Sequence, residues 1–340
     1  MSGDGAKTVL GRHAFATDPG RKRRQNEDAF VVRPPLFAIA DGMGGARAGE
    51  IASALAAGAL SESGTRSGGQ ERVRELVQEA NRRVHERAST DPTTTGMGTT
   101  MTVALVEPGG EITFGHVGDS RAYVLRGESL EQLTDDHSLV AELVRRGELS
   151  ARDAEVHPQR SVITRALGTD PDVDVDAFTV RPEAGDVYLL CSDGLSDMVP
   201  GDAIEEILVR YRGDLDEAAK ALVKAANRGG GDDNITAVLF ELVEGDAATE
   251  PDERTREMAV APDEEDTLHP EDDVQPPPAR EDAPQPIDTM VVPAAEIDAA
   301  VAAEEPETPQ AGIGRRLLAL LVILALVAII VVLVWWGLAR

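Results

Sequence analysis

Five acidic sites stand at the ends of apolar runs: Glu27–Asp28 in NEDAF, Asp41 in AIADGMGG, Asp119 in HVGDSRAY, Asp193 in LLCSDGLSD and Asp233 in GDDNITAV. Any one alone is an ordinary turn, because aspartate caps its own backbone and tolerates tight geometry. Five in one region are harder to dismiss. Rigid strands would aim these carboxylates into one crevice, and crowded carboxylates need cations. Oxygen donors without clustered histidine or cysteine select Mg²⁺ or Mn²⁺ over zinc. The glycines of Asp41-Gly42-Met43-Gly44-Gly45 let the backbone approach a ligand, so a peptide carbonyl can join the set. They lack the spacings of a nucleotide phosphate loop.

A basic run, Arg21-Lys22-Arg23-Arg24, precedes Asn26-Glu27-Asp28. Taken alone it is a solvated face or a weak polyanion patch. Beside a metal–carboxylate centre, an arginine fork is what bidentate recognition of a phosphate requires. Arginine plus two hard cations suggests metal-assisted phosphoester hydrolysis, in which a water bridging the cations is deprotonated near neutral pH and attacks phosphorus.

The elements that must hold these groups are legible in outline. Strand-like runs are Leu36–Ala40, Thr100–Val106, Ile112–Val117, Ala122–Arg126, Val187–Cys191 and Ile235–Leu242, with Ala29–Val32 after the first acids. Helical periodicity covers Gly49–Ser61 and Glu71–Ala88, where Val73, Leu76, Val77, Ala80 and Val84 share a face. Asp202 with Glu205, and Asp214 with Glu217, place an N-cap acid three residues before a glutamate. Gly229–Gly231 suits a left-handed C-cap after the second of these helices. Strands mixed with a few long helices, without regular βαβ alternation, predict an α+β fold with antiparallel sheets.

Three unlike segments make up the 340 residues and their net charge of -28. Residues 1–244 carry 41 acids and 27 bases and read as one mixed domain. Residues 245–314 carry 20 acids and 3 bases, with many prolines and alanines, and read as a disordered tether. Such a coil has a reach of about 45–50 Å. Within residues 315–340, Leu317–Trp336 is an unbroken apolar run of 20 residues. At 1.5 Å per residue a helix of that length spans the hydrocarbon core. Arg315 and Arg316 before it, and Trp335 and Trp336 at its far end, predict a single-pass tail anchor with the larger domain facing the cytoplasm. The N-terminal residues contain no apolar run of the kind a secretory signal needs. One cysteine excludes an intramolecular disulfide framework and a thiolate-rich cluster. Such acidity argues against nucleic acid as a partner.

Taken in order, the motifs resemble the metal-dependent protein phosphatase family of the 2C type, in its bacterial serine/threonine form. The matching pieces are GRKRRQNEDAF (20–30), FAIADGMGG (37–45), GMGTTMTVAL (96–105), HVGDSRAYVLR (116–126), LTDDHSLV (133–140), SVITRALG (161–168), LLCSDGLSDMV (189–199) and GDDNITAVL (231–239). The resemblance implies a four-layer α-β-β-α sandwich of two antiparallel sheets, with two Mn²⁺ or Mg²⁺ ions in its cleft. It implies that Asp41 bridges both ions, that Gly42 offers its carbonyl and Glu27 its carboxylate to one, and that Asp28 orients bound water. Asp193 and Asp233 would hold the other ion. Arg23 matches the phosphate-binding arginine, and Asp119 with Asp193 matches a third, weaker metal site. The segment between His137 and Leu167 corresponds to a variable flap that borders the cleft.

One departure concerns proton transfer. Eukaryotic members often carry a histidine after the Asp-Gly pair as the proposed general acid, and here that position is Met43. A thioether cannot donate a proton. Bacterial-type members share this pattern, so the acid must be bound water or another group. His116 and His137 read as buried or capping residues, and Cys191 as a packed core residue. The expectation is therefore a membrane-tethered phosphatase of phosphoserine and phosphothreonine in proteins. By family analogy it would oppose Hanks-type kinases. The rival reading is a pseudophosphatase that binds phosphoproteins as a scaffold without turnover.

Overall fold

The computed structural model describes residues 8–43, 48–64, 66–154, 156–245 and 290–291. In chain order its strands are β1 (Thr8–Asp18), β2 (Asp28–Arg33), β3 (Leu36–Met43), β4 (Gly98–Thr99), β5 (Met101–Val106), β6 (Ile112–Val117) and β7 (Arg121–Arg126). There follow β8 (Ser129–Gln132), β9 (Val162–Ile163), β10 (Asp176–Val180), β11 (Val187–Cys191), β12 (Ile235–Glu244) and β13 (Met290–Val291). The helices are α1 (Gly49–Glu62), α2 (Gly69–Thr90), α3 (Leu139–Arg145), α4 (Ala151–Ala154), α5 (Asp193–Ser196), α6 (Gly201–Arg210) and α7 (Leu215–Gly229).

Two antiparallel sheets result. One has the order β1-β12-β11-β7-β8, the other β10-β6-β5-β3-β2 with β4 paired to β3. Alternation along the central strands explains how they stack. On β3, Leu36, Ala38 and Ala40 pack under the helices, while Phe37 and Ile39 face the other sheet. On β11, Val187, Leu189 and Cys191 face helices, while Tyr188 and Leu190 point between the sheets. A strand buried on both faces reads as a continuous apolar run, yet its period of two still divides it between two cores. Three cores separate four layers, α-β-β-α, as expected. The middle one is stitched by an aromatic column in which the Phe37 and Phe240 rings stack at 4.4 Å and Tyr188 and Phe240 at 5.1 Å.

Helix α1 lies on one sheet through Ala52, Ala56 and Ala59, all fully buried. Those short side chains face Ala38 and Ala40, so the helix lies close to β3 and the strand's acidic end. The apolar stripe of α2 is as expected, though the helix extends to Gly69 and Thr90. Asp214 caps α7 by accepting from the Glu217 amide at 3.1 Å. Asp202 does not cap α6, which starts at Gly201 after Pro200 without a side-chain cap. Glu205 instead accepts from the Leu130 amide, so the expected reciprocal pair is replaced by a tie from helix to sheet edge.

Strands β1, β8 and β10 had no counterpart among the expected runs. Within the stretch expected to be a disordered tether, Met290–Val291 pairs in parallel with Val162–Ile163. Beyond Gly245, the remainder of that tether and the apolar run 317–336 lie outside the described residues. Among the described residues no helix is long and apolar enough to cross a membrane.

The middle core is where the two sheets meet, and Phe240 is fully buried in it. Replacing Phe240 by alanine should cost about 3–5 kcal/mol of unfolding free energy through transfer and cavity terms. Urea denaturation of both proteins measures it.

Candidate active site

Asp28 opens β2 and stands directly opposite Asp41 in the β2–β3 register. Two carboxylates are thus set side by side before any loop contributes. Around Asp41 the backbone is clasped. Its amide donates to Thr100 Oγ1 at 2.9 Å, and its carbonyl accepts from the Thr100 amide at 2.9 Å and Thr99 Oγ1 at 2.8 Å. With the peptide groups satisfied, the side chain is left for the crevice. The next residue must be glycine, because a Cβ on Gly42 would overlap the Gly49 carbonyl. The Gly42 amide donates to the Glu27 carbonyl at 3.1 Å, so Glu27, Asp28, Asp41 and Gly42 form one continuous wall.

The opposite wall comes from the other sheet. Asp193 is the first residue of α5, immediately after β11 and Ser192. Asp233 precedes β12, its Oδ1 accepting from the Asn234 amide at 2.8 Å and its Oδ2 from Arg23 Nη2 at 2.8 Å. Asp28 links the walls, since its Oδ2 accepts from Thr236 Oγ1 at 2.6 Å and lies 2.9 Å from Ser192 Oγ. Asp119 follows Gly118, whose φ of +109° only glycine adopts readily. That turn is gripped by His137, whose Nδ1 accepts from the Gly118 amide at 3.0 Å and whose own amide donates to the Gly118 carbonyl at 2.8 Å.

Burial and like charge act together on these acids. Burial first, then repulsion from Asp233 and Glu27, push Asp28 up to about 7 against its hydroxyl partners. Burial, with Asp136 and Asp197 nearby, pushes Asp119 up to about 7. Asp41 is raised well above the carboxylate range by burial and by Asp28, Asp193, Asp233 and Asp119. Asp193 is raised in the same way by burial and then by Asp119, Asp197, Asp233 and Asp28. The described residues contain no ready-made cage of three metal-ligating side chains; the carboxylates line a crevice instead. Within it Asp28 Oδ1, Asp119 Oδ1 and Asp193 Oδ1 are buried without a hydrogen-bond partner. Orphaned carboxylate oxygens that repel one another are the donor set a hard divalent cation takes. The residues present therefore fit Mn²⁺ or Mg²⁺.

Other polar groups around the crevice have settled roles. Arg121 forks onto Asp136 at 2.9 and 2.7 Å. Arg160, within the flap segment, lies 3.6 Å from Asp197. His116 Nε2 lies 3.1 Å from the Asp135 carbonyl, and His137 Nε2 lies 3.1 Å from Asp176. Burial pushes both imidazoles down, His137 to about 3. With Gly118 donating to Nδ1, His137 is neutral and donates from Nε2. Both histidines are structural, as their sequence context suggested. Met43 is buried with Ile163 and Ala166, an apolar contact between the flap's return strand and the residue after Gly42. Cys191 is buried in the core, where burial pushes its thiol up to about 12.

The sequence reading missed the residues that hold the acids rather than the acids themselves: Thr99, Thr100, Ser192, Thr236 and Asn234. Their one visible signal is a hydroxyl or amide directly flanking a strand end that also carries an acid.

Raised carboxyl groups have a consequence for stability. A group whose folded pKa exceeds its unfolded value stabilises fully below the unfolded pKa and loses that contribution as pH rises through the folded one. With Asp28 and Asp119 moving from 3.8 to about 7, chelated protein should lose stability between about pH 4 and about pH 8. Asp119→Asn in chelator should match the parent at the acidic end and exceed it at the alkaline end. Thermal melts across that range measure both effects. Equal pH profiles for the two proteins would remove the Asp119 assignment.

Comparison with known proteins places this arrangement. A profile of the family described as Protein phosphatase 2C matches residues 21–229. The serine/threonine phosphatase stp of Listeria monocytogenes is 42% identical over 239 residues, covering 67% of this chain and 94% of that protein. PstP of Mycobacterium tuberculosis is 40% identical over 242 residues, 70% of this chain and 46% of that longer protein. The crystal structure of the M. tuberculosis phosphatase aligns with a TM-score of 0.65 at 39% identity, covering 69% of this chain and all of that one. A structure of the PstP catalytic domain in complex with two manganese ions aligns at 0.64 with 37% identity, covering 69% of this chain and 99% of that one. The order of acidic motifs, the two-sheet sandwich and these alignments agree: the chain belongs to the protein phosphatase 2C family of serine/threonine phosphatases.

Proposed function

We propose that this chain hydrolyses phosphoserine and phosphothreonine in proteins at the carboxylate crevice, with two Mn²⁺ or Mg²⁺ ions held there. The observation that carries the reading is the set of unpartnered buried oxygens on Asp28, Asp119 and Asp193. Glu27, Asp41 and the Gly42 carbonyl would hold one ion, and Asp41, Asp193 and Asp233 the other. Asp119 with Asp193 would serve a weaker third. Such cations supply a nucleophilic water at neutral pH and neutralise charge on the phosphoryl oxygens.

The chain's own residues do the rest. Asp28 is fixed through Oδ2 by Thr236 and Ser192, which leaves Oδ1 to orient the attacking water. Arg23 reaches the edge of the crevice, with Nη2 2.8 Å from Asp233 Oδ2, where a planar fork can grip two phosphate oxygens. Met43 offers no proton, and His116 and His137 are committed to other partners. None of these three groups supplies the leaving alkoxide's proton, so the acid is bound water or another group of the crevice. No candidate ligand acid is missing, which separates this reading from a scaffold without turnover.

The tether and anchor complete the proposal. The apolar run Leu317–Trp336 with Arg315 and Arg316 before it supports a tail anchor, with the phosphatase on the cytoplasmic face. A tether of 70 residues carrying 20 acids would be repelled by an anionic leaflet and hold the domain off it. On that surface the natural partners are phosphoproteins, including substrates of Hanks-type kinases.

Asp41→Asn and Asp193→Asn should each lower kcat on the order of 10²-fold or more with Mn²⁺ present, on a phosphothreonine peptide. Undiminished turnover in either would sink the mechanism. Arg23→Ala should act chiefly on KM, raising it about tenfold. The intact chain should sediment with membranes and resist an alkaline wash; recovery of intact chain in the soluble fraction would overturn the anchor.

A further inference from the structure

Between Asp18, the end of β1, and Asp28, the start of β2, the chain is irregular. This loop carries Arg23 and Glu27, and no sheet ladder fixes it. One buried side chain ties both of its ends, alongside the Gly42 amide on the Glu27 carbonyl and Asn26 Nδ2 on Thr17 Oγ1. Asn234, 3% exposed, donates from Nδ2 to the Pro19 carbonyl at 3.0 Å and to the Gln25 carbonyl at 2.9 Å. Its Oδ1 accepts from the Glu27 amide at 2.7 Å. Both donors and the acceptor of the amide are thereby spent on backbone atoms of a single loop.

Asn234 is itself rigidly placed. It follows Asp233, to which its amide donates, and it precedes β12. A Cβ on Gly194 would overlap its carbonyl, so the turn after Asp193 packs directly against it. The loop's middle is tied to the same strand connection, since the Arg21 and Lys22 amides donate to the Gly231 carbonyl at 2.7 and 3.2 Å.

We propose that Asn234 is a positioning residue that sets the 19–27 loop, and with it the Arg23 guanidinium, against the crevice wall at Asp233. The inference rests on the reading of Arg23 as the phosphate-binding group. The site demands two donors and one acceptor in a planar arrangement, which an amide side chain of this length supplies. Aspartate has the shape and the acceptor but no donor, and serine has one donor. A misplacement of about 1 Å in a group that binds substrate can cost up to about 10²-fold in activity. A loop with few ladder bonds of its own depends on such a staple.

Asn234→Asp keeps the acceptor toward Glu27 and removes both donors to the loop. In the full chain with Mn²⁺ and a phosphothreonine peptide, it should raise KM about tenfold and leave kcat within about threefold. Combined with Arg23→Ala it should add almost nothing, because both changes remove one interaction. Asn234→Ala, which also frees the Glu27 amide, should in addition weaken Mn²⁺ binding by calorimetry. Hydrogen exchange should speed at the Arg21, Lys22 and Glu27 amides while β11 and β12 keep their protection. An unchanged KM in Asn234→Asp, or fully additive penalties in the double variant, would overturn the proposal. Uniform loss of protection across β11 and β12 would do so too, since it marks a general structural role. If Arg23→Ala alone leaves KM at the parent value, the assignment of Arg23 itself fails, and the inference falls with it.

Discussion

Carboxylates gathered in one partly buried crevice repel one another, and the rest of the domain is what keeps them together. Asp28 and Asp41 face each other in register on neighbouring strands of one sheet. Asp193 and Asp233 adjoin strands of the other sheet, and Asp119 follows a strand of the first. No local segment can hold such a set, because each acid gains by swinging away into solvent. The opposing force is distributed over three apolar cores, above all the one between the sheets, where Phe37, Phe240 and Tyr188 form a continuous stack. Tertiary packing offsets a cost that local structure could not bear.

Holding strands in place is not enough; the terminal peptide groups must also be prevented from competing for the acids. At Asp41 the Thr99 and Thr100 groups occupy the backbone, at Asp119 His137 occupies that of Gly118, and at Asp233 the Asn234 amide takes one oxygen and Arg23 the other. Small residues do the complementary work. Alanines on α1 and the glycines at Gly42, Gly49 and Gly194 let backbones approach where a Cβ would collide. Hydroxyl, imidazole, amide and glycine thus act as one system, and Asp28, Asp119 and Asp193 each keep an oxygen without a hydrogen-bond partner.

The acids themselves were legible in the sequence, as were the helix stripes and the central strands, because these signals are local. A strand buried on both faces is an apolar run, an amphipathic helix repeats every three or four residues, and an acid at a strand end stands out against both. What was not legible depends on partners far away in the chain. Strand β1 lacks a strong pattern because most of its residues are only half-buried on a sheet edge. Glu205 has the spacing of a capping box, yet a strand edge at Leu130 claims it. Asn234 sits within GDDNITAVL, but nothing in its neighbours says that Pro19 and Gln25 need donors. Asn81 is a second case. It interrupts the apolar face of α2 because it bonds to Gly168, Asp170 and Pro171. Sequence patterning reads faces; it does not read which loop a buried amide will hold.

That distinction bears on how charge is arranged. Cations carried on regular elements near the crevice are spent internally, as with Arg121 on Asp136, and their geometry is as fixed as the sheet's. A substrate phosphate needs a cation that can change partners, and Arg23 meets that need because it rides on an irregular loop and pairs with Asp233 at the half-exposed rim. Irregularity alone would spread the guanidinium over many positions and lose the advantage of a planar fork. A loop anchored at both ends by one buried amide resolves the conflict: the backbone is held like a strand, while the side chain keeps the freedom of a loop.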